Sequence, residues 1–172
     1  MPQFTDVSAT DARALALITE YFSDRELSFP STQGTYRPNF PAPEQFLPPR
    51  GVFLLVSGDE GENGRESGSS FVGCGGIRRI EDSPAGATRY EVKHLWLQPN
   101  VRGRGWSRQL LGELERRATG FGAAEVVLDT HKSLTAAGAL YQSSGYVDTP
   151  PYNENPNATN WYLKRLGVTT NG

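Results

Sequence analysis

The residues best suited to chemistry lie in one short run, Arg102-Gly103-Arg104-Gly105-Trp106-Ser107, between a strand-like and a helix-like segment. Glycine lets successive backbone amides converge on one point, where a side chain would obstruct an approaching anion. A helix beginning there adds the positive end of its macrodipole. Such a turn suits a diphosphate. Each hydrogen bond to a charged oxygen is worth roughly 1.5–3 kcal/mol, and Arg102 and Arg104 add charge. Two other phosphate-binding turns fail on detail. Arg108 stands where a dinucleotide fingerprint needs its third glycine, and no Gly-Lys-Ser/Thr follows as a Walker loop requires.

The apolar periodicity indicates the elements that must position this turn. Residues 3–7 suit a short strand, and Ser8 or Thr10 can cap a following helix with Asp11 in its first turn. Leu15, Leu17, Ile18, Tyr21 and Phe22 recur on one face of that helix. Prolines between residues 29 and 50 forbid long regular structure, so this stretch reads as an ordered surface loop that covers Tyr36, Phe40 and Phe46. Strands are expected at residues 51–57, 71–81 and 88–97, an antiparallel meander whose first connection, 58–70, reads as a mobile hairpin link. Leu110, Leu111, Leu114, Ala118 and Phe121 then mark a helix over 105–119, with Glu113 and Arg117 spaced to pair. It crosses over to a buried strand at 124–129, making the fourth and fifth strands parallel neighbours. A helix at 134–144 and short strands at 146–148 and 160–163 complete the pattern.

The 172 residues fit one domain, 1–172, with a core of its own. A formal charge of −2, with Lys and Arg dispersed, gives no reason to expect nucleic acid. Cys74 is the one cysteine, so an internal disulfide and a cysteine-rich zinc site are excluded. No signal-like start and no long apolar run occur, so a soluble cytoplasmic protein without a membrane partner is expected.

The turn resembles the pyrophosphate loop of the GNAT superfamily of N-acetyltransferases, Arg/Gln-x-x-Gly-x-Gly/Ala, with Ser107 in the last place. A second stretch, Ala137-Gly138-Ala139-Leu140-Tyr141 through Gly145-Tyr146, resembles the late-helix element of that family at the expected distance. Leu134 replaces the asparagine frequent near the start of that helix. The resemblance implies an α/β (α+β) fold, with a mixed, mostly antiparallel central sheet, a splayed parallel strand pair and flanking helices. It also implies acetyl-CoA as cosubstrate, without a metal. The pantetheine would run along the backbone at Leu95 and Leu97, as an added strand does. The diphosphate would rest on the amides of Gly103, Arg104, Gly105, Trp106 and Ser107, beside Arg102.

The resemblance places two residues in the reaction. Tyr141 falls where a tyrosine stands near the CoA sulfur, and a phenol (about 10) can protonate a departing thiolate (about 8.5). Glu91 matches a base-bearing position, although a glutamate near 4.3 faces a gap of roughly 8 kcal/mol to an amine near 10.4. It would need burial or a water relay. Strict alternation puts Glu91 and Leu97 on one sheet face and His94 on the other, as a packed or surface histidine. His131 reads as a loop histidine near the groove, and Cys74 as core. For the acceptor, a small-molecule amine, candidates are Tyr21, Phe22, Phe29, Tyr36 and Phe40 early, and Tyr152, Asn153, Asn155, Asn160 and Trp161 late. Of these, Tyr36, Tyr152, Asn153 and Trp161 carry the substrate-binding expectation. A homodimer is compatible with the sequence. The rival readings are an acyl-CoA-binding sensor or partner domain that has lost turnover, and an interaction protein with an incidental glycine turn.

Overall fold

A computed structural model describes residues 1–58 and 70–167; the expected mobile link falls almost wholly outside the described residues. The chain runs β1 (Gln3–Val7), α1 (Ala12–Ser28), β2 (Gly51–Ser57), β3 (Phe71–Arg79), β4 (Arg89–Leu97), α2 (Trp106–Gly120), β5 (Glu125–Thr130), α3 (Thr135–Ser143), β6 (Val147–Asp148) and β7 (Asn160–Arg165). The strands form one sheet in the order β1-β2-β3-β4-β5-β7-β6. All neighbours are antiparallel except β4 and β5, which the α2 crossover makes parallel. Among the described residues no helix is long and apolar enough to cross a membrane.

The sheet is covered on both sides. Val52, Leu54 and Val56 pack with Leu110, Leu111 and Leu114 of α2. The alternate residues Phe53 and Leu55 pack with Leu17, Ile18 and Phe22 of α1. Burial on both faces explains why β2 reads as a continuous apolar run rather than an alternating one. Helix α1 starts later than its serine and threonine suggest. Asp11 is the N-cap, accepting from the Arg13 amide at 2.9 Å, while Ser8 and Thr10 bond each other. The expected Glu113–Arg117 pair forms at 2.7 Å, and Arg117 also reaches Asp6. Tyr36 and Phe46 of the proline-rich loop are buried as expected, but Phe40 is 53% exposed, resting edge-on against Phe22.

Two irregularities in β4 build the site. Strand β4 pairs with β5 only at Arg89, Tyr90 and Glu91, after which the strands part. Facing β3, the register goes from Gly76↔Lys93 to Cys74↔Trp96, so β4 carries one extra residue. His94 takes that bulge with φ +56°, rare for a residue with a Cβ. The extra residue breaks the alternation on which the sequence expectation rested. Glu91 shares its face with His94, whose ring packs among Tyr21, Phe22, Phe46 and Phe53 on the α1 side. Leu97 packs on the opposite side, with α2.

Glycines in β3 admit the covering layers. A Cβ at Gly76 would lie 2.6 Å from Phe46 Cε1 and 2.9 Å from Phe53 Cδ2. Gly76→Val should therefore cost about 1–3 kcal/mol, read as a lower urea midpoint. Gly112→Ala, with nothing within 4 Å on the exposed face of α2, should instead stabilise by about 0.5–1 kcal/mol.

Candidate active site

The gap between β4 and β5 opens into a cavity of about 1140 Å³. One end reaches the glycine turn, at Arg102, Gly103, Gly105, Ser107 and Arg108. The turn has the expected conformation, with Gly103 at φ +78° and Gly105, the N-cap of α2, at φ +76°. Among the described residues the amides of Gly103, Gly105, Trp106, Ser107 and Arg108 donate to no backbone acceptor, and no side chain caps the helix. Open space surrounds both glycines where a Cβ would stand. Orphan donors at a helix start, converging on open space, fit an anion such as a diphosphate.

The arginines of the turn are placed differently from the expectation. Arg102 folds back, donating to the Leu97 carbonyl at 2.9 Å and to Asp24 at 3.2 Å. The Leu97 carbonyl thus already accepts one bond, while Leu95 lies on the open stretch of β4. Arg104 lies over the Trp106 ring, 5.6 Å from its centre. Arg108 bridges the start of α2 to the end of α3 through Ser143 and Ser144. Its role was hidden in the sequence, because the contact joins residues 35 and 36 positions apart.

The middle of the cavity is walled by Leu95 and Leu97 on one side and by Ala136, Ala137, Leu140 and Tyr141 on the other. Small residues on α3 leave a slot wide enough for an extended chain. Tyr141 is 7% exposed, and its hydroxyl bonds to no described residue. Burial, then the nearby Tyr21 hydroxyl and the Asp129 carboxylate, pushes its phenol well above the ordinary range, so it keeps its proton.

At the far end a buried polar network joins β3, β4, β5 and the loop after β6. Glu91, 1% exposed, accepts from Arg78 Nη2 at 2.8 Å and from the Tyr152 hydroxyl at 2.7 Å, with Lys93 at 3.8 Å. Asp129 accepts from Asn153 at 2.7 Å and from Asn155 at 3.1 Å, and Lys93 stands 3.8 Å away. Trp161 donates to the Asn153 side-chain oxygen at 2.8 Å. Of these, Asp129, Lys93, Arg78, Asn153 and Asn155 line the cavity, whereas Glu91, Tyr152 and Trp161 stand behind them. Tyr36 lines the cavity as well. Glu91 is therefore set back from the cavity, whereas two carboxylates line it, Asp24 beside Arg102 and Asp129 within this network. The sequence analysis passed over Asp129, although the carboxyl end of a parallel strand is where ligands meet an α/β sheet.

Neither histidine is placed as a ready base. Burial, then the charges of Lys93 and Arg78, pushes His94 down to about 3, so it is a neutral ring at the cavity wall. His131 is fully buried and held between Ser133 and Gln33. Cys74 is a buried core thiol raised by desolvation. Among the described residues no group of three or more His, Cys, Asp or Glu is placed to hold a metal.

A mixed sheet that parts at one parallel pair, with an amide-lined turn at the mouth of the gap, is the architecture that the sequence resemblance implied. Comparison with known proteins agrees, and residues 15–146 match the acetyltransferase (GNAT) family. The chain belongs to that family. It is 39% identical over 83 residues to an N-alpha-acetyltransferase of Mycobacterium tuberculosis, covering 48% of this chain and 49% of that one. The chain spans about half the length of the curated relatives it matches. A protein of Klebsiella pneumoniae classed as an acyl-CoA N-acyltransferase superposes with a TM-score of 0.70 at 26% identity, covering 97% of this chain and 99% of that one. A GNAT acetyltransferase from Elizabethkingia anophelis, solved with acetyl-CoA bound, has a TM-score of 0.59 at 14% identity, covering 96% and 98%.

The depressed His94 has a measurable consequence. A histidine kept neutral by folding stabilises above its unfolded pKa, near 6.5, and that stability is lost as pH falls toward about 3. Between pH 7 and pH 5 the wild type should lose about 1–2 kcal/mol through this group. His94→Gln should flatten that part of the urea-denaturation profile, and an unchanged slope would show that His94 does not carry it.

Proposed function

We propose that the protein transfers an acetyl group from acetyl-CoA to the primary amine of a small-molecule acceptor. The observation that carries this reading is the continuity of the cavity. It runs from α2-start amides that have no acceptor among the described residues, past Tyr141, to a far end bearing Asp129 and aromatic side chains. A diphosphate on the turn and a thioester beside Tyr141 would use the length of the slot, and the aromatic side chains of Phe22, Tyr36 and Phe40 at its far end suit a compact acceptor. The family match, and the acetyl-CoA bound to a protein of the same fold, support the choice of cosubstrate.

When bound, acetyl-CoA supplies an activated carbonyl with a good leaving group. The amides of Gly103, Gly105, Trp106 and Ser107 hold its diphosphate, and the open edge of β4 at Leu95 orients its pantetheine. Asp129 attracts the acceptor ammonium and takes its proton, through water where needed. Lys93, Asn153 and Asn155 fix that carboxylate in place. Glu91 acts from behind, ordering Tyr152, Asn153 and Arg78 rather than receiving the proton itself. The amine nitrogen then bonds the carbonyl carbon, the C–S bond breaks, the Tyr141 hydroxyl gives its proton to the leaving sulfur, and the second nitrogen proton, lost as the amide forms, returns to the Tyr141 oxygen. Burial makes the Tyr141 phenol a weaker acid, and the same apolar slot makes the departing thiolate a stronger base, so the transfer depends on the sulfur being held against the hydroxyl.

Acetyl-CoA should raise the melting temperature in proportion to the logarithm of its concentration. Gly105→Val places a branched side chain at φ +76° in the turn, and should weaken CoA binding by at least about tenfold. Tyr141→Phe should lower kcat by about 100-fold with little change in CoA affinity, measured as thiol release with an amine panel. Thiol release independent of every amine would count against acetyl transfer, and equal kcat in Tyr141→Phe would make this tyrosine structural.

A further inference from the structure

The cavity wall holds a buried cation with one nitrogen unsatisfied among the described residues. Arg25 sits on the apolar face of α1, one turn beyond Tyr21 and three residues after Phe22, and is only 5% exposed. It lines the cavity, and its Nη1 is buried with no hydrogen-bond partner among the described residues. No carboxylate of the described residues pairs with it; the guanidinium rests over the Tyr36 ring at 5.3 Å and beside the Tyr21 hydroxyl. An arginine cannot shed its charge as a buried lysine can, so a desolvated guanidinium without a counter-charge is strongly unfavourable. Buried polar groups left unsatisfied in a native fold point to a ligand that satisfies them.

The same cavity end also presents Asp129, which makes no ion pair with Arg25 among the described residues. The charges of both groups are felt at the hydroxyls of Tyr21, Tyr36 and Tyr141, so they bracket the place where transfer would occur. Two opposite charges, unpaired with each other and facing one space, match a molecule that carries both. Phe22, Tyr36 and Phe40 supply an aromatic wall beside them.

We infer that the acceptor is a free amino acid, its carboxylate bound by Arg25, its amine directed at Asp129 and its apolar side chain laid on Phe22, Tyr36 and Phe40. This rests on the acetyl-transfer reading above and narrows its acceptor. A planar guanidinium recognises a carboxylate through two parallel hydrogen bonds, a geometry that lysine does not reproduce. A peptide N-terminus has no carboxylate at that distance from its amine, so it would leave Arg25 unsatisfied.

The test compares matched acceptors with acetyl-CoA and wild-type protein, reading thiol release. Apolar and aromatic amino acids such as phenylalanine are set against their decarboxylated amines, their carboxamides and peptides beginning with the same residue. The amino acid should exceed its decarboxylated amine in kcat/KM on the order of 100-fold, as loss of a charged hydrogen-bond pair predicts. In Arg25→Met that ratio should collapse toward one, and Arg25→Lys should restore only part of it. The amino acid should also raise the wild-type melting temperature but not that of Arg25→Met, a readout independent of turnover. Equal use of amino acid and amine by the wild type, or a preference for peptides, would overturn this inference while leaving acetyl transfer standing. No thiol release with any amine, amino acid or peptide would remove the reading beneath it as well.

Discussion

The structure depends on the parting of β4 from β5. Parallel pairing lasts for Arg89, Tyr90 and Glu91 and then stops, leaving the rest of each strand with backbone groups facing a gap. Unpaired strand edges are usually covered or filled, since buried amides and carbonyls without partners are costly. Here the edge faces a channel, and the bulge at His94 turns β4 away while keeping it paired with β3. Everything that follows chemically uses that gap: the turn at its mouth, the small residues of α3 along it, and the charged groups at its end.

The far end of the gap is tied together by polar bonds. Arg78 from β3, Glu91 and Lys93 from β4, Asp129 from β5 and Tyr152, Asn153 and Asn155 from the loop after β6 form one network. Burying so many charges gains little stability, because desolvation offsets much of the attraction. What it provides is position. Each carboxylate has several partners, so Asp129 presents a fixed face to the cavity while Glu91 holds the groups behind it. Removing one partner from such a set leaves another buried charge exposed to the same penalty, which makes the network a unit rather than a sum of pairs.

Much of the fold was legible because the signals were local. The spacing of Leu110, Leu111, Leu114 and Ala118 specified α2 within about a residue at either end, and β1 and β2 fell where their composition put them. The glycine turn was equally readable, since positive φ at Gly103 and Gly105 is a property of those residues themselves. The facing of β4 was not readable. It follows from one extra residue at His94, whose conformation is accepted only because Phe22, Phe46 and Phe53 surround the ring. Arg25 carried a faint sequence signal, a charge on the apolar stripe of α1, but whether a carboxylate met it there could be known only once the chain was folded.

The sequence by itself therefore determined the order and type of the elements and the glycine turn before α2, because both follow from residue identity and short-range periodicity. Tertiary structure alone decided which carboxylate meets the cavity, placing Asp129 at the wall and Glu91 behind it. It also decided that Arg102 turns back to β4 and that Arg25 Nη1 is buried with no hydrogen-bond partner among the described residues. Those outcomes rest on contacts between residues tens of positions apart, and on one bulge that reverses the facing of half a strand. Side-chain alternation holds only while a strand's register is unbroken.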